Sequence, residues 1–464
     1  MITIYKKKIR FKTAQIIAMG FAAIILLGAL LLSLPVAWAP GHQITFIDAL
    51  FTSVTSICVT GLVTVPTYAS WSWFGKIVIL FLIQLGGFGV VTCGAFVMIA
   101  MGKRISIRNR KLIKETYNLD TMKGLIKLIR KILRGTLIVE GIGAIFYSFQ
   151  FVPEFGPKGI AIAIFNAVSA FCNAGMDIIG PDSLAGYVKN PLINLTTAGL
   201  VIVSGIGYLV WWDLIKFGKR LISRNMGFRQ AVRALELNTK IVLTATVILL
   251  FGGMTIIGIL EWNNPATLGA MRTGEKIMAS FFQSVTCRTA GFLTIPQENF
   301  KEGTALICMI LMFIGGSPLG TAGGVKTTTI AVLILMGISF FRGKEDTEIF
   351  RRRIPFSNIK TAWVVVMMAL FVLLTGTIGL AISVEGMVQK PALIDIMYEI
   401  TSAGATVGLS RGLTPYLPFS GKLIVIVIMY IGRIGPTTLA SALTVQSQGK
   451  PSSMHLPDEK VFIG

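Results

Sequence analysis

Phe51-Thr52-Ser53-Val54-Thr55-Ser56-Ile57-Cys58-Val59-Thr60-Gly61-Leu62 is a short, largely uncharged stretch ending at a glycine, and the same arrangement returns three more times along the chain. Aligned on that glycine, the four ends read Val59-Thr60-Gly61-Leu62, Asn173-Ala174-Gly175-Met176, Thr289-Ala290-Gly291-Phe292 and Thr406-Val407-Gly408-Leu409. Ten residues before each glycine stands an aromatic: Phe51, Phe165, Phe281 and Tyr398. The glycines are 114, 116 and 117 residues apart, and a quarter of the 464-residue chain is 116, so a fourfold internal repeat accounts for the whole sequence. A second register agrees with the first. Each unit carries a small-residue knot in its following apolar run: Leu85-Gly86-Gly87-Phe88-Gly89, Val203-Ser204-Gly205-Ile206-Gly207, Ile314-Gly315-Gly316-Ser317-Pro318 and Ile431-Gly432-Arg433-Ile434-Gly435.

The medium around these repeats follows from composition. With 53% hydrophobic residues, 14% charged residues and a mean hydropathy of +0.74, the chain reads as an integral membrane protein. Its two histidines, His42 and His455, and the absence of metalloprotease, P-loop and nucleophile-elbow strings leave little for enzymatic chemistry. The five cysteines, 58, 93, 172, 287 and 308, fall in apolar stretches and read as small buried residues, with no disulfide framework implied.

Eight apolar segments are long enough to cross a bilayer: 13–38, 77–101, 132–152, 191–214, 241–260, 305–341, 361–384 and 423–445. The first follows Lys6, Lys7, Lys8, Arg10 and Lys12 but exceeds the apolar core of a leader peptide, and is read as a membrane helix. Of 43 Lys and Arg, 29 fall in residues 1–12, 103–134, 216–240 and 342–360, which places these segments and both termini in the cytoplasm. Each external loop then holds an apolar segment too short to span, at 48–57, 160–171, 276–286 and 395–402, and these read as re-entrant half-helices.

The expected fold is thus an all-α membrane protein of eight transmembrane helices and four half-helices around a central pore. Repeat 1 covers residues 1–102 (pore loop 48–62), repeat 2 covers 103–218 (160–176), repeat 3 covers 219–343 (276–292) and repeat 4 covers 344–446 (395–409), with a cytoplasmic tail at 447–464. Irregular backbone at membrane depth is tolerated where it lines water or is buried in protein. Half-helix C-termini aim partial negative charge at the axis, and backbone carbonyls of Val59, Thr60, Gly61, Asn173, Ala174, Gly175, Thr289, Ala290, Gly291, Thr406, Val407 and Gly408 would replace an ion's hydration shell. None of these twelve is a carboxylate, which points to a monovalent cation.

These motifs resemble the Trk/Ktr/HKT superfamily of potassium transporters. The resemblance covers all four repeats and includes Ser284-Val285-Thr286-Cys287-Arg288-Thr289-Ala290-Gly291-Phe292, the run from Gly315-Gly316-Ser317-Pro318-Leu319-Gly320-Thr321-Ala322-Gly323-Gly324-Val325-Lys326-Thr327, and Gly432-Arg433-Ile434-Gly435-Pro436. It is strongest to the bacterial Ktr membrane subunit. It implies inward potassium movement, with glycine at all four filter positions favouring potassium; a serine at position 61 would accompany sodium transport in HKT relatives. It also implies a homodimer, a cytoplasmic ring of nucleotide-binding regulatory subunits, frequent sodium stimulation, and no cofactor in this chain beyond the transported potassium. Nucleotide is expected only on the partner, and nucleic acid is not expected as a partner at all. A sodium-conducting member of the same architecture is the alternative, and an organic-solute carrier or membrane enzyme the more distant one.

Several residues keep two readings. The sixth span, crowded with Gly315, Gly316, Ser317, Pro318, Gly320, Thr321, Gly323, Gly324 and Lys326, reads either as a broken helix whose loop (315–328) gates the pore, with Thr327 and Thr328 at its rim, or as a kinked packing helix. Arg433 is either a positive barrier below the filter or is held by Glu399, Glu140 or backbone carbonyls. Glu140 reads as a relay or a pairing group, and Arg288 as a brace behind the filter or an external surface residue. Asp48 and Asp395, thirteen residues before their glycines, read as helix caps. The basic loop 103–134 would lie on anionic lipid, meet a partner, or simply be solvated.

Overall fold

A computed structural model describes residues 13–89, 125–223, 227–344, 346–388 and 390–435. Among these, four helices are long and apolar enough to cross a bilayer: α1 (Thr13–Leu32), α5 (Leu125–Phe155), α10 (Leu237–Glu261) and α14 (Phe356–Val384). Each leads, through a loop, to a half-length helix: α2 (Phe46–Cys58), α6 (Lys158–Cys172), α11 (Thr273–Thr286) and α15 (Leu393–Gly404). These overlap the four short apolar segments of the sequence, because a short uncharged run bounded by turns can form a helix and cannot form a span.

The helices that follow are shorter than hydropathy alone suggests. They are α4 (Trp73–Phe88, after the single turn α3, Thr67–Ser70), α7 (Pro191–Gly205), α12 (Glu302–Phe313) and α16 (Phe419–Ile434). Segment 191–214, read as one crossing, is two helices: α7 meets α8 (Tyr208–Ile222) at 99°. Gly207, with φ of 90°, makes that corner, and Gly89 (77°) and Gly435 (87°) end α4 and α16 in the same way. The knots are therefore helix stops. An apolar run conceals such a stop, since only the left-handed glycine marks it. The remainders of those two segments, 90–101 and 436–445, lie outside the described residues, as do the basic stretch 103–124, Cys93 and the tail 447–464.

The sixth segment is also divided. α12 stops at Phe313, residues 314–326 form a loop, and α13 (Thr327–Phe341) resumes. The short α9 (Phe228–Arg233) follows α8, and a two-stranded ribbon, β1 (Glu348–Ile349) with β2 (Arg352–Arg353), connects α13 to α14.

Packing closes the helices into a ring. Each half-length helix lies against the long helix before it and the second helix of the preceding group: α6 on α5 and α4, α11 on α10 and α7, α15 on α14 and α12, and α2 on α1 and α16. The last group thus covers the first. The inner faces are small or tightly buried, for example Ala29 and Leu32 on α1 and Leu380 on α14, while Leu26, Leu27, Leu30, Phe371 and Leu374 point outward and exposed. Such an outward apolar belt is stable against lipid.

Candidate functional site

Every half-length helix leads into a loop at the middle of the ring, and the four loops share one backbone pattern. Val59 (φ 55°), Asn173 (61°), Thr289 (62°) and Thr406 (53°) are left-handed, and two residues later so are Gly61 (98°), Gly175 (62°), Gly291 (77°) and Gly408 (98°). The glycines are needed twice over, for their φ and for space. A Cβ added to Gly61 would stand 2.5 Å from the Ala174 carbonyl oxygen, and one on Gly175 would stand 2.7 Å from that of Ala290. Gly291 faces the carbonyl of Val407 in the same manner, and Gly408 that of Thr60. The order Gly61, Gly175, Gly291, Gly408 closes on itself, so four backbone segments converge where no side chain fits.

The first of each pair was not legible as a special position. Three of the four, Val59, Thr289 and Thr406, are β-branched, the class least suited to the left-handed region, and each such residue carries about 1–3 kcal/mol of strain held by its surroundings. Those surroundings include a hydroxyl six residues before the glycine in three loops. Thr55 Oγ1 accepts from Gly61 N at 2.9 Å, Ser402 Oγ from Gly408 N at 3.0 Å, and Ser169 Oγ from Met176 N at 3.1 Å. The third loop has Val285 at that place, and Thr286 donates to the Phe292 carbonyl at 2.7 Å. The same spacing is visible in the sequence, where Thr55, Ser169 and Ser402 each stand six residues before their glycine.

Of the aromatics ten residues upstream, Phe51, Phe165 and Tyr398 are buried, whereas Phe281 is only partly so and its neighbour Phe282 takes the inner position. The side-chain atoms Asn173 Nδ2, Thr289 Oγ1 and Thr406 Oγ1, all at one register, are buried with no hydrogen-bond partner among the described residues.

Beneath the loops sits the break of the sixth segment. Gly315 N donates to the Val325 carbonyl at 3.0 Å and Val325 N to that of Phe313 at 3.1 Å, which ties the two ends of the loop together. Its middle reaches neighbouring elements: Ser317 N donates to the Gly205 carbonyl (2.9 Å), Tyr208 N to that of Leu319 (3.1 Å), and Thr321 Oγ1 to that of Phe171 near the end of α6 (3.1 Å). Ser317 and Thr327 share a hydroxyl contact at 2.9 Å. Gly323 lies so close to Thr406 that a Cβ there would overlap the Thr406 hydroxyl and come within 2.8 Å of the Ala405 carbonyl. Gly315 and Gly316 are equally crowded, by Gly323 and Ala322, and Gly320 by the Ser204 carbonyl. Gly324, φ 66°, turns the chain back, and Pro318 forms the corner opposite Gly207.

Cationic groups surround this loop. Arg433 donates to the Thr321 carbonyl at 2.7 Å and to that of Gly86, so backbone carbonyls, and neither Glu399 nor Glu140, hold it. Lys326 Nζ donates to the Ala322 carbonyl at 2.7 Å. Arg288 is buried, 7% exposed, and is thus no surface residue. Glu140 accepts from Gln84 at 3.1 and 3.2 Å and stands near the Cys172 thiol; Glu399 accepts from Ser410 at 2.9 Å and from Thr414.

The two aspartates are ion-paired, and neither is the N-cap residue of its helix. Thr45 caps α2, while Asp48 binds Lys422 of α16 at 2.7 Å; Asp395 binds Arg411 at 2.6 Å. Burial opposes the charge on Asp48, and the bonds from Lys422, Thr45 and Thr64 outweigh it, holding the carboxyl below its ordinary value.

The sequence model of the TrkH cation transport protein family matches residues 6–453. The chain belongs to that family. It is a multi-pass membrane cation transporter and not an enzyme. It is 38% identical to the Ktr system potassium uptake protein B of Bacillus subtilis, across 99% of this chain and 98% of that protein. It is 37% identical to the potassium/sodium uptake protein NtpJ of Enterococcus hirae across the full length of both, and 36% identical to the Ktr system potassium uptake protein B of Vibrio alginolyticus over 97% of this chain and 94% of that one. Its fold is similar to that of the potassium transporter TrkH from Vibrio parahaemolyticus, with a TM-score of 0.70 at 18% identity over 95% of this chain and 87% of that one.

Proposed function

We propose that the chain is the ion-translocating subunit of a potassium uptake system, passing potassium inward along its electrochemical gradient through a channel-like pore on the axis of the ring. The observation that carries this reading is the convergence of Gly61, Gly175, Gly291 and Gly408, each against the carbonyl of the next loop. Four half-helix C-termini end beside them, so a cation is favoured and no carboxylate is needed. Residues 59–61, 173–175, 289–291 and 406–408 form the filter, and the four groups of span, half-helix, loop and span form repeats with the boundaries given above. The uncompensated Asn173, Thr289 and Thr406 atoms fit a polar path on one side of it.

In this reading the loop 314–326 is the gate, pinned by Arg433 and Lys326 through its own carbonyls. The clustering of the basic residues supports a cytoplasmic position for both termini, beside anionic lipid. The Ktr system names of two relatives support work beside a regulatory partner, for which we propose a cytoplasmic nucleotide-binding ring on a homodimer, with sodium stimulation.

Sodium conduction is the second reading, favoured by one observation: a relative similar over its entire length is named for potassium and sodium uptake. Rescue of a potassium-uptake-deficient bacterium at low external potassium separates the two. Growth, with rubidium uptake exceeding sodium uptake, supports the potassium reading; sodium uptake alone, in a membrane-inserted protein tested with and without a co-expressed ring subunit, replaces it.

A further inference from the structure

Three residues before each filter glycine the chain has Cys58, Cys172, Arg288 and Ala405. Three of these are small, and the fourth is a full positive charge. Arg288 is more than nine-tenths buried, and its Nε has no hydrogen-bond partner. Among the described residues no carboxylate pairs with it, unlike Arg411 and Lys422, and no carbonyl caps it, unlike Arg433 and Lys326. It lines a cavity with room for about one water molecule, together with Gly205, Ile206, Leu250, Val285 and Gly316. A buried, uncompensated guanidinium is costly and is retained in few places without a task.

None of the twelve filter residues is a carboxylate, so the negative field nearest to them is that of the four half-helix ends. At roughly −0.5 charge each, these amount to about −2, a value that attracts a divalent ion twice as strongly as a monovalent one. One fixed positive charge at the end of α11 offsets about half of that field. The loss is twice as large for a divalent ion. We infer that Arg288 is a valence-determining residue, which keeps divalent cations from occupying and blocking the potassium path. The inference rests on the reading of the four loops as a filter. Arg433 and Lys326 are also positively charged, but they sit on α16 and the loop 314–326, whereas Arg288 stands at the end of a filter half-helix.

Barium, a divalent ion close to potassium in radius, is the probe. Rubidium uptake is measured for the full chain in uptake-deficient cells, or in proteoliposomes, at increasing external barium. In Arg288→Gln and Arg288→Met the half-inhibiting barium concentration should fall by about tenfold, and Arg288→Lys should keep the weak block of the unmodified protein. Unchanged barium sensitivity in the neutral variants overturns the inference. So does their absence from the membrane when Arg288→Lys inserts normally, because the charge would then serve folding. Gly291→Ser, read by the rubidium-to-sodium uptake ratio, tests the filter itself: an unaltered ratio there dismisses the filter, whereas an altered ratio with unaltered barium block dismisses only the role of Arg288.

Discussion

Gly61 has no room for even a methyl group, because the Ala174 carbonyl of the next loop occupies that place and its φ of 98° is closed to other residues. Gly61→Ser should therefore displace one wall of the filter while leaving the helices in place. The expected outcome is a lower rubidium-to-sodium uptake ratio at normal expression; an unchanged ratio would remove the first loop from the filter. Thr55→Val and Ser402→Ala strip the acceptors from Gly61 N and Gly408 N, each leaving a buried donor at a cost of about 1–3 kcal/mol. Each should lower the melting temperature of the purified protein, whereas a hydroxyl removed from a lipid-facing position should not. The glycines themselves were legible, since four of them recur at nearly equal spacing in one context. Their left-handed partners were not: nothing about Val59 or Thr406 as residue types announces a positive φ, which the packed loops impose from outside.

At the scale of elements, the half-helices were legible because their length is a physical limit, and the expected 160–171 became Lys158–Cys172. The interruption of the second helices was not, since hydropathy counts apolar residues and is blind to the sign of φ at Gly89, Gly207 and Gly435. In the proposed reading the loop 314–326 is the gate. The loop can nestle against Thr406 and Ala405 only because residue 323 has no Cβ, so Gly323→Ala should disfavour that resting place. Rubidium uptake without the regulatory partner is then expected to rise severalfold. Slower uptake from well-inserted protein would mean that this contact supports conduction and does not restrain it.

The whole molecule is a ring held shut at one seam, where α16 meets α1 and α2. Lys422 binds Asp48 there, and the Tyr430 hydroxyl donates to the Ala18 carbonyl at 2.7 Å. Breaking the seam by Lys422→Met leaves a mostly buried carboxylate without its cation, at a cost of about 3 kcal/mol. Because the Asp48 carboxyl is held below its ordinary value of 3.8, its contribution is complete above that value and is lost as pH falls through the lowered one. The melting-temperature gap between variant and unmodified protein should be full at pH 7 and narrow below pH 4. A gap independent of pH would mean that the lysine acts through its aliphatic stem. Sequence patterning led to the expectation of four units, but contacts 374 positions apart in the chain, such as Lys422 with Asp48, have no local signature.

The seam also orders events during synthesis. Its two sides are 374 positions apart in the chain, so α2 emerges long before the helix that will cover it. Until the ribosome has passed Lys422, the loop after α2 has one open flank and no fourth neighbour; if the loops form the proposed filter, the ion path is not yet closed. In the proposed reading, unfinished copies therefore leak no potassium.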